Sequence, residues 1–408
     1  MTRNRVSRLP MGGLVAAVAT LALSTAAVQA AMNVPSDGSD GALSPASSVE
    51  IDLSQAVTGQ WDDNNAANAG KGVYDPEKWA VVFKYSSVSI PAGVTVTFKN
   101  RSPNAPVVWL VQGSVTIAGT VDVSGKPATG PAGSVTEGGP GGFRGGAATL
   151  ASEPGSAGFG PGGGPFGENR AGAYGEMVNS RSGTPYGSAT LTPLIGGSGS
   201  TAFHFAVLDG GSGGGAILIA TGGTLTLSGT LRANGGLGKS QALPGSGGGV
   251  RLIADTLNAA TSALVQATGS GNGRIRIEMN HGSFAGVSAP AASFSLPGAT
   301  PVLWPTATQP SLKVTRVGDI VPPADPAARL DFPNQDVSLP GATPTIVTLQ
   351  ASNVPLDWKV YVRVVRRNGT DSIVNATLVS GNAASSVWQA TITPAQGFTA
   401  IQARAYKP

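Results

Sequence analysis

At 408 residues the chain has room for two or three domains, and its 41% of apolar residues is enough for buried cores. Only 12% of residues are charged and 59 are glycine, a balance that disfavours helices and favours strands and tight turns. Arg3, Arg5 and Arg8 account for all but +1 of the formal +4 charge, which removes the main argument for a nucleic-acid partner; the absence of cysteine excludes disulfides and thiolate metal sites.

Residues 1–30 carry the order of a secretory signal: three arginines, an apolar run from Gly12 to Leu23, then STAAVQA with small residues at Val28 and Ala30. The run is short for a membrane span, and no second apolar span follows. We therefore expect an exported chain with no integral membrane span, located outside the cell or at its surface, the periplasm being compatible as well. Residues 31–80 read as an N-terminal cap segment with one or two strands, the clearest being the alternating VEIDLSQAV.

Residues 81–290 show a repeating strand pattern. SVSIPAGVTVTF places Val88, Ile90, Val94, Val96 and Phe98 around a Pro-Ala-Gly turn. VVWLVQGSVTIAGTVDVSG, Val107 to Gly125, then keeps one apolar parity across Gly113 and Gly119. Shifted by 110 residues, ILIATGGTLTLSGTLRANG (Ile217 to Gly235) superposes without a gap: Gly113 falls on Gly223, Gly119 on Gly229, Val115 on Leu225 and Val121 on Leu231. A third copy from Val250 aligns after a two-residue deletion and a compensating insertion, and GRIRIEM closes the series with Ile275 and Ile277.

Period-two alternation buries one face and wets the other. A nineteen-residue strand would be abnormally long, so the chain is expected to bend at Gly113 and Gly119, where glycine permits unusual corner angles. Stacked bends of this kind give a right-handed parallel β-helix, in which each coil needs its neighbours. Asp122 and Arg232 would then be outward neighbours.

Between the two best copies, residues 126–209 form a glycine-rich excursion. Its spaced aromatics, Phe143, Phe159, Phe166, Tyr174, Tyr186, Phe203 and Phe205, argue for an ordered segment packed on the flank of the repeats. Residues 291–311 are rich in Pro, Ala and Ser and read as a linker. From 312 to 408, short alternating runs such as TIVTLQASNV, WKVYVRVVRRNG and SSVWQATITPA predict an immunoglobulin-like β-sandwich without a disulfide. The fold class is thus all-β.

Chemical motifs are sparse. GGSGG around Ser212 fits a nucleophile elbow, but that elbow needs a following helix and here a strand follows. GLGKS resembles a phosphate loop, yet Ala233 stands where the pattern needs Gly. The repeats lack the Asp of calcium-binding β-rolls. His204 and His281 are far apart in sequence, which speaks against a histidine metal site. Asp122, Arg232, Arg251 and Asp255 are scattered over the repeats, whereas Glu137, Arg144, Glu168, Arg170, Glu176 and Arg181 of the excursion could meet in space. No catalytic, cofactor-binding or metal-binding residue is assigned, and no cofactor is expected.

At SVSIPAGVTVTF, TIAGTVDVSG, GGPGGFRGG, GGSGGGAILIA and GRIRIE the chain resembles a family of exported, glycine-rich, β-helical bacterial proteins of uncharacterised function. The resemblance covers roughly residues 35–280 and implies an exported β-helical architecture. It carries no activity and no site residues, and the C-terminal segment lies outside it. The expected function is a secreted or cell-surface structural or adhesive protein binding carbohydrate or envelope material. The alternative is a polysaccharide-active lyase or hydrolase. Convergence of two or more carboxylates with a Lys or Arg beside the excursion would favour the enzyme, and their dispersal the scaffold.

Overall fold

The computed structural model describes residues 32–63, 69–149, 155–203, 207–240, 242–341 and 343–408. Residues 1–30, read from sequence as a secretory signal, and His204 lie outside them. The chain is all-β, and Ala31–Pro408 forms one compact unit.

The chain winds between two sheets. β1 (Ala42–Leu43) lies on the first and β2 (Val49–Asp52) on the second, followed by the 3-10 turn η1 (Leu53–Gln55), β3 (Val57–Thr58) and β4 (Val73–Asp75). β5 (Ala80–Tyr85) and β6 (Ser87–Ile90) return to the first sheet and β7 (Thr95–Lys99) to the second. β8 (Val107–Val111) and β9 (Val115–Ile117) then lead to β10 (Thr120–Asp122) in the same way. After the excursion the alternation resumes with β11 (Ala216–Leu227) and β12 (Thr230–Arg232), β13 (Gly249–Ala259) and β14 (Leu264–Gln266), and β15 (Arg274–Phe284) and β16 (Val287–Ala289). It ends on the first sheet at β17 (Ser293–Ser295), within the stretch read as a linker.

Every pair in the six-stranded second sheet is parallel, and β4–β5 is the one antiparallel strand pair in the eleven-stranded first. The 110-residue shift is the stacking register itself: Val115 opposes Leu225, Val121 opposes Leu231 and Asp122 opposes Arg232. Aliphatics therefore line up from coil to coil at the parallel strand spacing of about 4.8 Å. One file runs Val88, Val115, Leu225, Leu257, and another Val96, Val121, Leu231, Val265, all buried in one core.

Four details differ from the sequence reading. The coil Val81–Lys99 is itself a copy, with Val81 opposite Val107 and Val88 opposite Val115. The third copy is offset by 33 residues at Ile217/Val250, 32 at Leu225/Leu257 and 34 at Leu231/Val265. One residue is thus lost at a bulge near Thr221 and two are gained later; the bulge restores the inward parity that a one-residue slip would reverse. The wet face is confined to the second half of each repeat, because Val108, Leu110, Leu218 and Ala220 are buried against a second core with Tyr174, Leu191 and Leu303. Two covered faces explain why VVWLV and AILIA are continuously apolar.

The fourth difference is the role of the corner glycines. Gly119 and Gly229 do not take left-handed backbone angles. A Cβ at Gly119 would lie 2.2 Å from the Val94 carbonyl oxygen, and one at Gly229 would lie 2.0 Å from that of Gly119. Close backbone approach between coils, not an unusual corner angle, requires glycine there.

The same principle governs the described part of the excursion. Its glycine segments, and the tracts 210–215 and 245–248 that follow it, run beside one another outside the strands. The N–H groups of Gly213, Gly214 and Gly215 donate to Phe143, Ser246 and Val123 carbonyls, three different neighbours in three successive residues. A segment whose polar groups turn with a period of three bonds to a bundle of neighbours instead of a flat sheet. A Cβ at Gly213 would sit 1.8 Å from the Gly197 oxygen and one at Gly248 1.8 Å from the Gly215 oxygen.

The C-terminal part has two antiparallel sheets. β18 (Ser311–Val317), β19 (Thr345–Ser352), β22 (Thr377–Gly381) and β23 (Ser385–Ile392) form one, in the order β18-β19-β23-β22. β20 (Lys359–Arg366), β21 (Ser372–Asn375) and β24 (Thr399–Tyr406) form the other, with β20 central. They share a core of Val347, Leu349, Val360, Val362 and Trp388. The three-stranded sheet docks on the glycine-rich bundle. Buried Arg363 pairs with Asp371 at 2.7 Å and donates to the Gly160 and Gly164 carbonyls, while Val365 packs with Phe159 and Leu330.

Candidate functional site: a charged cleft

A cleft of about 720 Å³ opens where the second sheet, the glycine-rich bundle and the C-terminal part meet. Each region contributes side chains for a local reason. β2 presents Glu50 on its wet face, and β7 ends in Lys99, beyond which a loop carries Asn100, Arg101 and Asn104. Asn100 donates to the Gly138 carbonyl, and Asn104 donates to those of Gly139 and Gly142, so this loop pins the start of the excursion. Pinning places Lys126, Glu137 and Arg144 over the cleft. Ala327–Asp331 and Arg367 close the far side.

Six cationic side chains line the cleft: Lys99, Arg101, Lys126, Arg144, Arg329 and Arg367. Three carboxylates line it with them, Glu50, Glu137 and Asp331. Lys126 lies 3.7 Å from Glu50, Arg144 3.0 Å from Glu137 and Arg329 3.0 Å from Asp331. Lys99 is held from outside by Asp52 at 2.8 Å. Arg101 stacks 3.4 Å over the Tyr74 ring, and the Tyr74 hydroxyl donates to Asp325. Arg144 also donates to the Ala328 carbonyl and Arg367 to that of Leu330, which ties the walls together.

Two carboxyls at the cleft are held in the charged form by their partners. Hydrogen bonds from Lys99 and Ser54 bring Asp52 down to about 2, and Arg329, with Asn334, holds Asp331 below its ordinary value. Burial pushes Asp40 and Asp209 up, but both lie outside the cleft and accept backbone N–H groups. The arrangement suits holding a ligand by charge and hydrogen bonds. A second cleft of about 820 Å³, beside Gly133, Ala148 and Asn368, has no carboxylate among its described lining residues.

The candidates named from sequence divide sharply. Glu137 and Arg144 meet in the cleft, whereas Glu168, Glu176 and Arg181 are exposed elsewhere. Arg170 is partly buried, and its N–H donates to Thr201. Asp122 and Arg232 are register neighbours, but Asp122 accepts the Ser124 N–H instead of forming an ion pair. Arg251 pairs with Glu278, and Asp255 accepts from Asn280. Ser212 is fully buried with its hydroxyl donating to the Lys126 carbonyl, so it has the surroundings of a structural serine. His281 is exposed on β15. Among the described residues no group of three or more His, Asp or Glu side chains could hold a metal ion. Sequence reasoning missed Lys99, Arg101, Arg329 and Asp331, because nothing in their spacing signals that residues some 230 apart line one cleft.

Comparison with protein-family models, with curated proteins and with solved structures finds no match to this chain.

Proposed function

We propose that this is an exported or cell-surface structural and adhesive protein that holds anionic carbohydrate of an envelope or matrix in the cleft. The scaffold reads as a right-handed parallel β-helix followed by an immunoglobulin-like sandwich. The stacked inward files and near-universal right-handed winding of parallel connections support the first, and the two antiparallel sheets around Trp388 support the second. The single observation that carries the function is the concentration of six basic side chains around one wet cleft in a chain with little net charge. Carboxylate or sulfate groups on a glycan would meet Lys99, Lys126 and Arg329, whose side chains are 59%, 46% and 39% exposed.

Isothermal titration with a uronic-acid polysaccharide, a sulfated one and a neutral one tests this reading. Binding of the charged polymers, weakening steeply with salt, is expected, and Lys99→Ala with Lys126→Ala should weaken it about tenfold or more. Equal binding of the neutral polymer, or none of any, would sink it. Convergence of Glu50, Glu137 and Asp331 with lysine and arginine favours a second reading, a polysaccharide-active enzyme. Release of reducing or unsaturated ends during the same incubations, abolished by Glu137→Gln, would establish it.

A further inference from the structure

The two ends of the stacked coils are finished differently. At the N-terminal end, η1 turns Leu53 and Ala56 into the core, and β3 and β4 extend the first sheet beyond β5. Charged side chains ring that end, among them Glu50, Asp52 and Lys99. At the C-terminal end β16 and β17, like β1, β2 and β3 at the other, each have a pairing partner on one side only, but no charged residue lies in or between them. Past Glu278, β15 likewise pairs with β13 alone. Backbone groups on such edges are free to pair with another chain.

The dry interior also runs out there. The file Phe83, Trp109, Ile219, Leu252, Ile277 ends at Phe294, the first member to be largely exposed, at 53%. Phe294 touches Phe284 of the preceding coil, and Leu296 (76% exposed) and Val287 (59%) follow them closely in sequence. From Met279 to Leu296 the sequence contains no Asp, Glu, Lys or Arg, although edges are ordinarily guarded by charge. An uncapped solenoid end of this kind is a liability in an isolated molecule.

We propose that the open C-terminal end docks against the same end of a second copy of this chain, head to head about a two-fold axis. Two observations choose this occupant. The N-terminal end is ringed by Glu50, Asp52 and Lys99, so a head-to-tail contact would bury those charges, whereas joining two C-terminal ends buries none. Around a two-fold axis each residue meets the vicinity of its own counterpart, so any charge on the edge would face its like. The absence of charge over this whole stretch is what a self-contact requires. The edge strands of the two copies then run antiparallel, and the Phe284–Phe294 faces close on each other.

Sedimentation velocity on the exported chain, over a concentration series reaching about 100 μM, tests the proposal. A concentration-dependent dimer is expected, and Phe294→Lys should raise its dissociation constant about tenfold or more. Leu356→Lys, exposed on the C-terminal part, should leave it unchanged. Circular dichroism checks that each variant folds. Hydrogen exchange of the unmodified chain gives a readout that needs no variant: amides of β15 beyond Glu278, of β16 and of β17 should gain protection as concentration rises. A chain that stays monomeric across the series, or a dimer that is indifferent to Phe294→Lys and unprotected at these strands, overturns it. Glycan binding in the cleft and this contact are independent, since loss of either leaves the other measurable.

Discussion

The coil stack and the glycine-rich bundle are both tightly packed, yet they are built on opposite principles. In the stack, Leu225 and Leu231 fill the space between two sheets, and stability comes from removing side chains from water. In the bundle long glycine stretches have no side chain to bury, and the large buried ones are few, such as Phe159 and Leu191. Backbone packs on backbone, with N–H groups such as that of Gly197 reaching the Gly214 carbonyl, and glycine is needed because any Cβ would occupy a neighbour's oxygen. Composition alone would place the bundle with disordered linkers. Its order comes from satisfying a dense backbone network, reinforced by Tyr174 and Tyr186, whose rings meet at a tilt and are buried in the second core.

If that contrast is right, the largest effect should come from giving the bundle a side chain. Gly213→Val would drive a branched group into the Gly197 carbonyl and should cost more than about 3 kcal/mol, enough to prevent folding in a thermal melt. Gly223→Ala provides the control, since a Cβ there meets nothing closer than 3.3 Å and should change stability by less than about 1 kcal/mol. In the stack the opposite change matters. Leu231→Ala removes a fully buried side chain between Val121 and Val265 and should cost about 2–5 kcal/mol by chemical denaturation.

A smaller effect distinguishes the cleft rim from both interiors. The Asp52 carboxyl is lowered in the folded state by Lys99, so its contribution is present above the ordinary carboxylate value and is lost as pH falls. Melting temperature should therefore decline between about pH 4 and pH 2. Asp52→Asn should flatten that decline and leave melting above about pH 5 independent of pH at this site. An unchanged acid limb would show that the Lys99–Asp52 pair is not formed in solution.

The parts legible in the sequence were those written in local periodicity. Alternation at Val115, Ile117, Val121 and Val123 identified strands, and the exact recurrence of Gly113 and Gly119 at Gly223 and Gly229 gave the stacking register. The short runs after residue 312 likewise read as antiparallel strands. The cleft was nearly invisible, with Glu137 and Arg144 alone anticipated among its charged residues. The reason for the corner glycines was also misread, because a sequence shows that glycine is present but not whether an angle or a neighbouring oxygen demands it.

By itself the sequence determined that the chain forms strands with a repeating inward face, since that follows from which side chains prefer water and how often they recur. It also determined that thiolate chemistry is absent. Only the tertiary structure decided what the glycines touch, that Lys99 and Asp331 line one cleft, and that one end of the stack is ringed by charge while the other ends at the exposed Phe294. Those outcomes depend on which distant segments arrive at the same place. That arrival is fixed by long-range backbone hydrogen bonding and packing, and no pattern within a few neighbouring residues records it.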